Sequence, residues 1–317
     1  MIYHCLQRYS EMTRTIKLWK PCLLLIMLLF AMTYAHVAAK ADTYIYGESQ
    51  SMGIADEQGI ILPPEYYIYE NALSFVFCDT TGKWGFYDKA SGFLQKPAFD
   101  HVYDGNTSMK ADLHSPILVA DQNFQIAYLE RTNGKVIIPF QYQYFGLCSE
   151  FCNGYAVVLK GDESCKAILI DEAGNEITFP DECTPCSFVY NGRVVISKEY
   201  VIKEHNTIET DYKYGLGLVD GSILLSPKYD YIADFCEGYA SIKQDGKWGH
   251  IDDRGNEIVA PTYELLEEVC GSEGYYFEDG VAELLLVDET VIYIDHFGNV
   301  VDVPNPRQYS DYFADLE

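Results

Sequence analysis

A tight glycine turn followed five or six residues later by a proline recurs seven times along this chain, at Pro64, Pro97, Pro139, Pro180, Pro227, Pro261 and Pro304. The clearest copy runs from Lys247 through Trp248-Gly249, the Gly255 turn and Pro261 to Tyr263. Trp84-Gly85, Tyr214-Gly215 and Trp248-Gly249 each begin thirteen residues before their proline. A fixed internal spacing of this kind means one supersecondary unit used repeatedly, with each unit burying its apolar face against its neighbours.

Within the clearest copy, Tyr239 to Lys243 alternates in strand fashion and Asp245-Gly246 is a two-residue hairpin turn. Lys247 to Asp252 makes the return strand, Gly255 sits in a second turn, and Glu257 to Ala260 makes a third strand that Pro261 ends by removing a backbone donor. The expectation is an all-β array of about seven three-stranded antiparallel repeats. Such an array closes into a toroid like a β-propeller or stays an open β superhelix or solenoid. The proline-to-proline intervals of 33, 42, 41, 47, 34 and 43 residues are uneven. Insertions around Lys198 to Lys213 and from Asp104 to Ser115 read as loops projecting from one face.

Before the first repeat, Arg14, Lys17 and Lys20 precede an apolar run from Cys22 to Met32, and Val37-Ala38-Ala39 and Ala39-Lys40-Ala41 offer small-residue cleavage patterns. That order is the order of a secretory signal peptide over residues 1–41, with Met12 as an alternative start. An uncleaved anchor is the rival, because Pro21 to Ala39 just reaches across a bilayer. The repeat domain then covers residues 44–305, and residues 306–317 form an acidic tail.

The leader holds five of the 22 basic residues and one of the 48 acidic ones, so its removal leaves 17 basic against 47 acidic groups, a formal charge of −30. Nucleic-acid affinity comes mainly from Lys and Arg neutralising phosphates, and anionic lipid attracts the same residues. The balance argues against both partners and for colloidal solubility.

Lys83-Trp84-Gly85-Phe86-Tyr87-Asp88 and Lys247-Trp248-Gly249-His250-Ile251-Asp252, each followed by a glycine turn and a proline, resemble the bacterial WG-repeat family. Phe151-Cys152-Asn153-Gly154-Tyr155-Ala156 and Phe235-Cys236-Glu237-Gly238-Tyr239-Ala240 are similar to that family's lead-in to the first strand. The resemblance implies an all-β repeat array, exported or surface-linked, with no shared catalytic residues. At the tryptophan position, Ile126, Ala167 and Val291 stand thirteen residues before Pro139, Pro180 and Pro304, a tolerance that suits packing rather than catalysis.

Eight cysteines lie beyond the leader, and Cys152 and Cys236 recur at one repeat position, which suits a small buried apolar-like residue. Cys148, Cys152, Cys183 and Cys186 are the candidates for a zinc site or a disulfide. Cys183-Thr184-Pro185-Cys186 follows a repeat proline, outside the helix context a dithiol oxidoreductase needs. No histidine among His101, His114, His205, His250 and His296 has metal or triad spacing, and there is no nucleotide or nucleophile-elbow motif. Acidic clusters at Asp171 to Glu176 and Asp252 to Glu257 read as turns rather than calcium loops. Surplus aromatics at Tyr66-Tyr67-Ile68-Tyr69, Tyr142-Gln143-Tyr144 and Tyr275-Tyr276-Phe277 serve either as strand residues or as a binding platform. Asn106-Thr107-Ser108 is a glycosylation sequon.

The functional expectation is an exported, non-enzymatic and cofactor-free binding or scaffold module for a protein or a cell-envelope glycan. The alternatives are an extracytoplasmic glycan hydrolase using a carboxylate pair, and a purely structural surface protein.

Overall fold

The repeat folds as an antiparallel meander, and every sheet in the computed structural model keeps its strands in chain order. Residues 43–48, 51–71, 73–104, 115–162, 164–204, 207–266, 274–304 and 306–308 are described. The leader, the sequon, most of the Asp104 to Ser115 insertion, His114, His205, Cys270 and the tail beyond residue 308 lie outside them. The described chain is all-β, with antiparallel sheets, no α-helix and a single 3-10 turn at Gly146–Ser149.

The sixth unit shows the full pattern. A short inner strand, Tyr231–Ile232, precedes Tyr239–Gln244, Lys247–Asp252 and an outer strand, Glu257–Tyr263. The repeat is therefore a four-stranded meander rather than a three-stranded one. Its inner strand escapes a sequence reading because two residues carry neither alternation nor a turn signal. The second, third and fifth units repeat this order, ending in the outer strands Leu94–Phe99, Val136–Gln143 and Ile223–Tyr229.

The expectation that the proline ends its strand is also corrected. Glu257–Tyr263 runs through Pro261, because Val259 pairs with His250 while Tyr263 pairs with Trp248, so four steps on one strand face two on the other. Pro97, between the pairs Phe86↔Gln95 and Trp84↔Phe99, and Pro227, between Leu216↔Leu225 and Tyr214↔Tyr229, sit in the same bulge. A bulge leaves residues outside the ladder, so a missing donor costs nothing there.

Both faces of the meanders are buried, which is why the central strands read as apolar runs such as Tyr155–Lys160. Val158 packs with Leu118, Tyr128 and Ile138 of the preceding unit, whereas Val157 packs with Val194 and Ile196 of the following one. Every core cluster joins consecutive units in this way: Ile54 with Phe77, Phe86 with Val119, Leu216 with Ile242, and Trp248 with Phe277 and Leu284. Among the described residues no core cluster joins the first unit to the seventh, and no sheet closes on itself.

Candidate binding edge

One cross-strand row of the unit carries the tryptophan position, and in the second, third and sixth units it lies beside the hairpin turn between the second and third strands. The row reads Tyr67, Cys78, Trp84 and Phe99 in the second unit, and Tyr231, Lys243, Trp248 and Tyr263 in the sixth. The third unit has His101, Ala120, Ile126 and Tyr142 there, and the fifth has Thr184, Ser197, Tyr214 and Tyr229.

Glycine follows the tryptophan because the bulged outer strand crosses directly beneath it. A Cβ on Gly85 would lie 2.4 Å from the Gln95 carbonyl oxygen, on Gly215 2.2 Å from Leu225 O, and on Gly249 2.2 Å from Val259 O. Met52-Gly53 is the same pair in the first unit, with Gly53 2.4 Å from Leu62 O by the same measure. Its missing aromatic ring hides it from a sequence search.

The two tryptophans differ in exposure. Trp248 is fully buried among Leu265, Tyr275, Phe277 and Leu284, so it anchors the sixth unit to the seventh. Trp84 is half-buried and stacks on Tyr69 at 5.3 Å, with Tyr67 edge-on to Tyr69 at 5.4 Å. In the next unit His101 stacks on Phe124 at 4.9 Å, and Tyr103 stacks on Tyr144 at 4.5 Å. Tyr67, Tyr69 and Phe124 are 49%, 42% and 49% exposed. Lys83 reaches Asp100 at 2.7 Å, placing a solvent-facing ion pair next to Trp84 and His101 in the chain. Burial raises the Tyr69 and Tyr103 phenols and pushes Tyr144 up to about 12, so these rings stay neutral donors at ordinary pH. The other surplus aromatics are largely core: Tyr142, Tyr275 and Phe277 are buried, and Tyr66 packs edge-on to Phe77.

The largest insertion projects from the same edge. It is a hairpin arm rather than a loop: Arg193–Glu204 and Thr207–Leu218 pair over twelve residues, against six pairs in the sixth unit. The arm continues beyond the Ser197↔Tyr214 row position and exposes Tyr200, Val201 and Tyr212. An open pocket of about 310 Å³ lies at this edge too, lined by Gln141, Tyr142, Lys160, Gly161, Asp162 and Glu176. Its Glu176 carboxylate is held by Lys160 at 2.7 Å and by the Tyr142 hydroxyl at 3.2 Å, and Asp162 accepts from the Ser164 backbone N–H at 3.0 Å.

The opposite turns consume their carboxylates in a repeated geometry. Asp171, Asp252 and Asp295 each accept from the backbone N–H and the side-chain amide of the asparagine four residues on, at 2.8–2.9 Å. Those hydrogen bonds hold all three below the usual aspartate range against burial, which acts in the other direction.

No disulfide joins Cys148, Cys152, Cys183 or Cys186 to one another. Among the described residues no three His, Cys, Asp or Glu side chains gather at metal-ligating positions. Burial pushes the Cys148 and Cys186 thiols up to about 12, which leaves them protonated and unreactive. The recurrent pair bridges units instead: Cys236 Sγ donates to the Phe277 carbonyl at 3.1 Å, and Cys152 Sγ approaches that of Val189 at 4.0 Å.

Sequence reasoning missed one polar cluster. Arg131 is buried between the second and third units, donating to Asp104 at 3.0 Å, to Asp88 at 3.5 Å and to the Ser115 carbonyl at 3.3 Å. The Ser74 hydroxyl also donates to Asp104. Burial pulls the guanidinium pKa down, and Asp104 and Asp88 outweigh it, so the net shift is upward. Partners 27 and 43 residues away leave no local signal.

The chain aligns with three solved structures at low similarity. With the computationally designed Ika8 protein it shares 11% identity over 85% of this chain and 86% of that one, at a TM-score of 0.40. With BamB from Moraxella catarrhalis the values are 12%, 84%, 88% and 0.36, and with dihydro-heme d1 dehydrogenase NirN 11%, 83%, 73% and 0.27. None of these likenesses bears on function. No curated protein matches the sequence. Two segments, each spanning a repeat proline and the second strand of the unit after it, match the model of the WG containing repeat: residues 131–163 and 219–248. Those two segments carry the WG containing repeat, which supports a WG-repeat protein.

Proposed function

We propose that this WG-repeat chain is an exported, non-catalytic binding or scaffold module whose seven units form a propeller-like ring. Its ligand is a protein or a cell-envelope glycan, held at the edge that carries the tryptophan row. The observation behind this reading is the group of half-exposed rings Tyr67, Tyr69, Trp84, His101 and Phe124. Flat rings with one face in water stack on sugar faces or anchor a protein partner. The projecting arm at the same edge adds Tyr200 and Tyr212.

The test is capture of ligand on immobilised chain, residues 42–317, from a detergent extract and a solubilised cell-wall fraction of the host. The module reading expects one abundant protein or a defined glycan to be retained, and retention to fall when Tyr69→Ala and Phe124→Ala are combined. A hydrolase would instead retain nothing stably and would lose activity on a single carboxylate-to-amide change, with folding unaffected. Retention indifferent to the aromatic pair would remove this edge as the site.

A further inference from the structure

The hairpin arm of the fifth unit runs on beyond the rest of its sheet. Thr184 and Pro185 pair with Ser197 and Ile196 on one side of it, and Tyr229 pairs with Tyr214 on the other. From Lys198 to Glu204 on the first strand, and from Thr207 to Lys213 on the second, the ladder among the described residues joins only the two strands themselves. Each outer edge is therefore a row of backbone donors and acceptors ready for another strand. Tyr200 and Val201, in the middle of the first edge, are 40% and 55% exposed.

The phase of that edge can be read from its base. The Val195 carbonyl accepts from the Cys186 N–H on the inner-strand side. Backbone groups alternate in direction along a strand, and the ladder with the second strand runs without a shift from Arg193 to Glu204. Glu199, Val201 and Lys203 thus turn their N–H and C=O groups to the same, open side.

The charges along this edge meet no opposite charge directly across the hairpin. Lys198 is in register with Lys213, Glu199 with Tyr212, Lys203 with Ile208 and Glu204 with Thr207. The segment is instead complementary to itself. Laid antiparallel on a second copy and centred on Val201, it sets Lys198 opposite Glu204 and Glu199 opposite Lys203, each pair occurring twice. Opposite charges directly across a ladder stabilise it, and like charges oppose it. The second edge fails the same construction, because turning it about its midpoint, Thr210, sets Glu209 opposite Asp211.

We propose that two copies of this chain pair through Lys198–Glu204, antiparallel about a two-fold axis at Val201, into a dimer. Val201 of each copy donates to and accepts from its counterpart, and Glu199 does the same with Lys203 of the second copy. The added strand ends with Glu204 opposite Lys198, one position short of Ser197, where Thr184 already pairs, so it fills the open edge without displacing the inner strand. The segment is electrically neutral in a chain of net charge −26, so the arm is where two acidic molecules can meet without mutual repulsion. The contact is isologous, and the acidic clash on the second edge stops the assembly at two. It uses the backbone edge and leaves the faces of the arm to a ligand, so it goes beyond the binding reading and stands without it.

The test is the mass of residues 42–317 by sedimentation equilibrium, in a concentration series up to about 100 µM. Two variants accompany the natural chain. Lys198→Glu with Lys203→Glu makes every charge of the segment negative, and Glu199→Lys with Glu204→Lys makes every one positive; far-ultraviolet circular dichroism checks that both fold. The expected result is a reversible dimer of the natural chain and dissociation at least about tenfold easier for either variant alone. Mixing the two variants in equal amounts should restore the dimer, which damaged folds could not do. A natural chain that stays monomeric throughout the series overturns the proposal. So does a dimer that both variants keep, or one that mixing fails to restore.

Discussion

Gly249 and Val259 face each other so closely that a single carbon added to the glycine would stand 2.2 Å from the valine carbonyl oxygen. The contact exists because Pro261 lies in a bulge that carries the outer strand across the third strand. The glycine and the proline of the repeat are thus two halves of one backbone crossing.

Gly249→Ala should therefore destabilise the chain by about 2 kcal/mol or more, since backbone rather than a movable side chain is in the way. Gly246→Ala, where a Cβ meets nothing within 4 Å but φ is +76°, should cost about 1 kcal/mol through backbone strain alone. Urea unfolding of both variants checks the order, and equal losses would refute the crossing account.

Trp248→Ala should cost about 3–5 kcal/mol, as expected for removing a fully buried ring between two units. Trp84→Ala should cost distinctly less, because that ring is half-buried. Denaturant midpoints of the two variants decide it, and a larger loss at Trp84 would contradict the exposure pattern.

Arg131→Met strands the Asp88 and Asp104 carboxylates in the interior and should cost about 3–5 kcal/mol. Replacing Asp88 and Asp104 with leucine together with Arg131→Met should recover part of that loss, because no unpaired charge is then buried. Thermal melts of the two variants test this; recovery is the expected result.

His250 is fully buried, with Nε2–H donating to the His296 carbonyl at 2.8 Å and Nδ1 accepting from the Tyr275 hydroxyl at 2.9 Å. Burial lowers its pKa below the ordinary 6.5, against the carbonyl's upward pull. Below about pH 6.5 the unfolded chain binds this proton more readily than the folded one, so stability is full above that pH and declines as pH falls through it. The held-down carboxylates of Asp171, Asp252 and Asp295 add a separate loss at lower pH, below about 4. His250→Gln should flatten the decline between about pH 7 and 5 and leave the lower one in place, as read from melting temperature against pH.

The strand-and-turn period was legible because glycine and proline mark backbone events that few other residues tolerate. Asp245 and Gly246, at φ 52° and 76°, form the two-residue turn that their dipeptide announces. What stayed hidden had no local signature. Tyr231–Ile232 is too short for a period, and the Pro261 bulge depends on which residue it opposes. The Arg131 cluster joins residues from two units, and the Lys198 to Lys213 insertion reads as loop until its two halves are paired. At the candidate edge the aromatic residues were visible as types. Only packing separates buried Tyr142 and Tyr275 from exposed Tyr67 and Tyr69.

The most direct test of the binding edge uses the two tryptophans of residues 42–317 as reporters, since Trp84 meets solvent and Trp248 does not. Iodide quenching of tryptophan fluorescence would be measured on the free chain and with host cell-wall fragments or extract proteins retained on the immobilised chain. The account predicts one quenchable population in the free chain that disappears on binding and no longer does so in Tyr69→Ala. Bound ligand that leaves Trp84 as quenchable as before would contradict it.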